Sequence, residues 1–277
     1  MKMKLASILC FTLVMSPAWC LSEFNDEEYS ANVNKIRRLS LGKPDAEVGQ
    51  RLTSWNPESS VNPEELGSYF EGDMLMPLSA QGRNGIINTF YRWPNAEVFY
   101  KIIGTFNANQ TALIYKAFDA FHANTCVRFK PYNGSQSNYL IIKSDNSGCW
   151  ATLGKAGGIQ YVNLQIPGCV TLIGTPIHEL MHTLGFFHEH TRPDRDHWIK
   201  ILWENVDRGS GFGIQDSNAF GVSYDYNSVM HVTDTYSSSK GLKTIETLQP
   251  PGVQIGQRNG LSAKDIQKIN AMYNCAS

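Results

Sequence analysis

The stretch HELMHTLGFFHEH, residues 178–190, constrains this chain more than any other part of its sequence. His178 and His182 are four apart, so a helix places both imidazoles on one face, with a rise of about 6 Å between their backbones. Gly185 takes φ > 0 without steric cost, so it can end that helix and reverse the chain. The reversal lets His188 supply a third nitrogen. Three protein ligands leave one position open for water, which is the catalytic rather than the structural zinc pattern. Glu179 stands beside the first histidine, where a carboxylate can reach that water without being a ligand. One zinc ion per chain is expected, on His178, His182 and His188, with Glu179 as the general base.

The remaining composition narrows the setting. With 277 residues and a net charge of -1, the chain gives no reason to expect nucleic acid or an anionic membrane as partner. Lys2 and Lys4 precede an apolar run from Leu5 to Met15, and Ser16-Pro17-Ala18-Trp19-Cys20 follows. This is the pattern of a secretory signal peptide, residues 1–20. The run is well short of the roughly 20 residues a spanning helix needs, and no later segment is long and apolar enough to span. A secreted, extracellular protein is expected. Outside the signal peptide the cysteines are Cys126, Cys149, Cys169 and Cys275. An even number in an exported chain implies two disulfides, with three connectivities open. Asn109 and Asn133 stand in glycosylation acceptor patterns.

Residues 21–83 have a different texture, rich in Asn, Glu, Ser, Pro and Gly. Glu27 to Leu39 suits a short amphipathic helix, after which Pro44, Pro57 and Pro63 break regular patterning. The segment cannot bury much alone and reads as a pro-segment. Phe70-Glu71-Gly72-Asp73 offers an aromatic anchor, a bend and a carboxylate that can reach a metal. Arg83 is a site for a trypsin-like protease, just before the texture changes at Asn84.

From Asn84 a folded domain is expected. Strands are predicted over 96–103, 127–131, 139–143, 149–153 and 158–164. Residues 110–124 carry apolar positions at helical period. Thr175 as cap and Pro176 in the first turn open the zinc helix. Patterning is then poor until Ser262-Ala263-Lys264-Asp265, a capping-box-like start to a terminal helix.

Residues 178–196, HELMHTLGFFHEHTRPDRD, resemble the signature of the astacin family among the metzincin zinc proteases. Glu189 and Arg192-Pro193-Asp194-Arg195-Asp196 distinguish that family from its superfamily neighbours. Tyr224 to His231 looks like the Met-turn, with Met230 beneath the metal. Arg92-Trp93-Pro94-Asn95, Gly148-Cys149, Gly168-Cys169 and the segment Leu261 to Cys275 extend the resemblance over almost the whole chain. It implies an α+β, zincin-like catalytic domain over 84–277: a twisted sheet and helices above a cleft, and a mostly irregular part with the terminal helix below. It implies the pairings Cys126–Cys275 and Cys149–Cys169. It implies that Asp73 takes the place of the catalytic water in a latent form. Cleavage between Arg83 and Asn84 would release it, and the new terminus would pair with Glu189.

The activity implied is hydrolysis of internal peptide bonds in protein or peptide substrates by a monomer, after an activating trypsin-like protease has acted. Substrate would lie extended beside residues 149–154. With the chain ending after Cys275, substrate range is expected to come from the cleft alone. The family often favours acidic residues just after the cut, and the sequence singles out no basic side chain for that. His190 and His197 are read as surface residues or neighbours of the ligands, and His122 as a helix-face residue. One position departs from the pattern. Val232 stands where the family has a tyrosine that donates to the developing oxyanion. Losing such a donor costs on the order of 3–4 kcal/mol, so a slow enzyme is expected unless Tyr236, four residues on, compensates. The alternative is a zinc-bound peptide-binding protein with weak catalysis.

Overall fold

The computed structural model describes residues 45–76, 89–207, 211–238 and 240–276. The signal peptide, the helix expected over 27–39, Arg83 and Asn84 lie outside these residues.

The upper half is a six-stranded sheet in the order β1-β5-β6-β4-β2-β3. Its strands are β1 (Met74–Leu75), β2 (Glu97–Ile102), β3 (Arg128–Pro131), β4 (Tyr139–Lys143), β5 (Cys149–Thr152) and β6 (Ile159–Leu164). All neighbours run parallel except β5 and β6. Val98, Leu140, Ile142, Val162 and Leu164 turn to one buried face, as period-two alternation requires. Against them packs the helix α2 (Ala108–Asn124), through Ile114, Ala117, Phe118 and Phe121. It starts two residues before the predicted position because Asn107 is its cap. The Asn107 side chain accepts from the Gln110 amide at 3.0 Å, and the Gln110 side chain accepts from the Asn107 amide at 2.9 Å.

The next helix, α3 (Gly174–Leu184), is buried along its whole length. Thr175 is not its cap. Ile173 precedes the helix in an αR conformation, and no side chain caps the end. The helix begins at Gly174 because Arg258 passes there: a Cβ on Gly174 would meet the Arg258 backbone at 2.3 Å. The Gly174 amide donates to the Arg258 carbonyl at 2.9 Å instead. Gly185 ends the helix at φ 111, and its amide caps the Met181 and His182 carbonyls.

Below, residues 211–238 are irregular and surround a second apolar cluster of Phe212, Tyr224, Val232, Tyr236 and neighbours. A two-stranded antiparallel sheet joins β7 (Ile199–Ile201) to β8 (Ile245–Thr247). Sequence patterning misses it because each strand is three residues long, with only Lys200 or Glu246 between two flanking positions. The terminal helix, α4 (Ala263–Tyr273), carries the Ser262–Asp265 capping box. Disulfides join Cys126 to Cys275 and Cys149 to Cys169.

The segment after Pro44 is more regular than its prolines suggest. Asp45 caps a short helix, α1 (Ala46–Thr53), whose Val48 and Leu52 are buried one turn apart. The pair is too short a stripe to stand out in sequence.

Candidate active site

α3 places His178 and His182 on one face, and the turn at Gly185 brings His188 to them. Each imidazole is oriented by a partner at Nδ1. His178 donates to the Val229 carbonyl at 2.8 Å, His182 to the Phe186 carbonyl at 2.7 Å, and His188 to Glu71 Oε2 at 3.0 Å. With Nδ1 committed, the Nε2 atoms converge: that of His178 lies 3.0 Å from that of His182 and 3.2 Å from that of His188.

Asp73 completes the cluster. Its Oδ2 lies 3.0 Å from His178 Nε2 and 3.3 Å from His188 Nε2, and its Oδ1 lies 3.3 Å from His182 Nε2. The four donor atoms fall within 4.8 Å of one another and all four residues are buried. Such a centre needs positive charge. Burial opposes a proton on His188, yet Asp73 and Glu71 overcome it and hold that imidazole up at about 10. Burial opposes charge on Asp73 too, but the histidines keep it well below the usual carboxylate range. Burial pushes His182 down to about 4. Three oriented imidazoles and a carboxylate around one point are a donor set suited to zinc.

Glu179 is fully buried, and among the described residues neither of its oxygens has a hydrogen-bond partner. Burial raises its carboxyl well above the usual range, and the nearby Asp73 and Glu64 raise it further. An unpaired buried carboxylate is costly, and groups kept in that condition concentrate at functional sites.

The segment from Asn62 to Leu75 lies along this site. Glu64 is buried, forms an ion pair with Arg258 and accepts from Thr175 Oγ1 at 3.2 Å. Glu65 accepts from the Thr233 amide at 2.8 Å. Glu71, at φ 49, and Gly72, at φ 100, turn the chain between Phe70 and Met74. Phe70 is not the anchor: it is 38% exposed, while Tyr69 is buried. Tyr69 packs on Trp150 and donates to the Ser147 carbonyl at 2.8 Å. Beyond Asp73, β1 runs beside β5, and the Ala151 and Leu153 amides donate to the Asp73 and Leu75 carbonyls at 2.9 and 3.0 Å.

Glu189 is no surface charge. It is buried and held by Lys268 at 2.6 Å, Arg192 at 2.8 Å and the Asp225 amide at 2.9 Å. The turn at 228–231 lies against the histidines, with the Val229 carbonyl on His178 and the Met230 carbonyl accepting from the Glu189 amide at 3.0 Å. Asp265 of α4 holds that turn through Ser228 Oγ at 2.6 Å and the Val229 amide at 2.8 Å. Val232 is buried within the second apolar cluster. His190 is buried beside His188, and His197 is exposed. His122 accepts from the Phe129 amide at 2.9 Å. His231, at the end of that turn, is buried and accepts from the Tyr224 hydroxyl at 2.8 Å. Sequence reasoning missed Arg258 and Lys268, which no local motif marks, and the role of Glu71, which stands in the Phe70–Asp73 motif but acts on His188, distant in the chain.

Residues 85–274 match the model of the peptidase family described as Astacin. The chain is 32% identical to zinc metalloproteinase nas-8 of Steinernema carpocapsae, over 98% of this chain and 69% of that protein. It is 33% identical to zinc metalloproteinase nas-4 of Caenorhabditis elegans, over 96% of this chain and 89% of that one. Embryonic protein UVS.2 of Xenopus laevis is 42% identical over 74% of this chain, which spans only 40% of that longer protein. Among solved structures, high choriolytic enzyme 1, a hatching enzyme zinc-protease from Oryzias latipes, superposes with a TM-score of 0.65 at 36% identity. That match covers 70% of this chain and all of the other.

Proposed function

The chain belongs to the astacin family of zinc metalloendopeptidases, and on that premise we propose that it is made as a secreted, latent precursor. Residues 1–20 direct export, residues 21–83 hold the enzyme inactive, and residues 84–277 carry out catalysis. The observation that carries this reading is Asp73: a carboxylate from outside the 85–274 family match sits among the three histidines, beside an unpaired Glu179.

His178, His182 and His188 would hold the zinc, which when bound supplies Lewis acidity to water and to a scissile carbonyl. Glu179 takes a proton from the attacking water and returns it to the leaving amine. While Asp73 is in place its carboxylate occupies the space among the three histidines, beside Glu179. Its departure clears that space for water and substrate. The Ala151 and Leu153 amides then serve the backbone of an extended substrate. Arg258, relieved of Glu64, offers a buried cation to an acidic substrate side chain.

A trypsin-like protease cuts after Arg83, and the ammonium formed at Asn84 is drawn to Glu189. A cavity of about 40 Å³ bordered by Glu189, Arg192, Lys268 and Met230 supports a docking place there. Exposed Asn109 and Asn133 are available for glycosylation. The test is hydrolysis of casein by the trypsin-treated full chain, with and without chelator, beside a Glu179→Ala control. Chelator-sensitive activity absent from the control is expected; a treated protein no faster than the control would falsify the reading.

A further inference from the structure

We propose that Tyr236 supplies the carbonyl-binding hydroxyl that Val232 cannot, and donates to the oxyanion that develops on the substrate. The inference rests on the reading that the segment bearing Asp73 leaves before catalysis.

Val232 offers no substitute itself: it is a buried aliphatic side chain in the apolar cluster around Phe212 and Tyr224. Tyr236 belongs to the same cluster, but its hydroxyl points the other way. It donates to the Glu71 main-chain carbonyl at 2.9 Å. A Cβ on Gly72, the residue before Asp73, would meet that hydroxyl at 3.4 Å. Glu71 in turn reaches His188 Nδ1 at 3.0 Å. The hydroxyl is therefore bound to a peptide carbonyl, in a segment that lies on the histidine cluster, close to the residue that enters it.

The ring is well placed to keep that aim. It packs edge-on to His190 at 5.3 Å and against Phe212 at 5.4 Å. The backbone is fixed by Thr244 Oγ1, which donates to the Tyr236 carbonyl at 2.7 Å. A phenol carries one proton to donate. When the Glu71 carbonyl departs, that proton is left without its acceptor, and a substrate carbonyl is the group that takes its place. A donor already positioned where negative charge develops needs no reorganisation during the reaction, and removing one typically costs about 100- to 1,000-fold in kcat.

The experiment compares wild type and Tyr236→Phe, each expressed as the full chain and activated with trypsin. The expected result is a kcat lowered about 100-fold or more with KM little changed. A phosphinic peptide, which mimics the tetrahedral species, should lose affinity by a similar factor in calorimetry, while a product peptide binds as before. Zinc content and Tm of the activated variant should match wild type, which separates loss of a donor from loss of structure. A Tyr236→Phe enzyme with wild-type kcat and undiminished phosphinate affinity overturns the proposal. An activated wild type no faster than Glu179→Ala instead removes the latency reading beneath it, so the two failures are distinct.

Discussion

Glu64 provides a quantitative test of how the segment before Asp73 is held. Its carboxylate and the Arg258 guanidinium form an ion pair with side chains 0% and 1% exposed. Arg258 is also tied to the His231 carbonyl at 3.1 Å, so it cannot swing away to find water. In Glu64→Gln the neutral amide retains an acceptor for Thr175 but leaves the guanidinium buried without its counter-charge. Breaking a buried pair from one side costs about 3–5 kcal/mol. On the latency proposed above, the cost falls on the docked state, because Glu64 is the buried partner that leaves with the segment. At 1.4 kcal/mol per tenfold, docking weakens by about two to three and a half orders of magnitude. The assay is inhibition of the activated enzyme by a synthetic peptide of residues 45–76, with and without the substitution. A rise in Ki of at least about 100-fold is expected. A Ki within threefold of the parent peptide would refute the argument, since it would mean the guanidinium loses nothing when its partner is neutral.

Three further outcomes follow from the geometry. Lys268→Met strands the buried Glu189, which keeps only Arg192 and a backbone amide; a loss of about 3–5 kcal/mol is expected, read as a lower denaturant midpoint at unchanged slope. His231 is fully buried, and burial pushes its imidazole down to about 4, so the neutral form is the native one. The stability it contributes is present above about pH 6.5 and lost as pH falls toward 4, about 3 kcal/mol in all. A thermal melt series should show that loss, and His231→Asn should flatten it. Glu179→Ala removes no ligand, so elemental analysis should still find about one zinc per chain while peptide hydrolysis disappears; loss of the metal would place Glu179 among the ligands.

The elements with regular period were legible in the sequence. β4 falls where its alternation puts it, α2 shows in its apolar period, and α4 announces itself by its cap. The metal-donor cluster was legible because its spacing is local: two histidines one turn apart on a helix, then a glycine that turns the chain. Features that depend on long-range charge were not. On spacing alone Glu189 would read as solvated; what buries it is Lys268, which arrives from α4, 79 residues later. Arg258 reads as one more surface cation until Glu64 is found against it. Phe70 looked like an anchor because it is the aromatic of its motif, but Tyr69 points inward, and side chains on successive residues of extended chain point opposite ways. The start of α3 was misplaced because it is fixed by the passage of the Arg258 backbone, which no local cap residue reports.

β1 contributes only Met74 and Leu75, yet its position decides what the sheet presents to its surroundings. Without it, β5 is the outermost strand, and the amides of Ala151 and Leu153 form an open row of donors. A bare edge of this kind templates pairing with any extended chain, another copy of the same protein included. Met74 and Leu75 cover that row in the structure. On the latency proposed above, the same row that makes the cleft useful to a protease makes it adhesive, and this two-residue strip keeps that face closed until cleavage after Arg83 releases it.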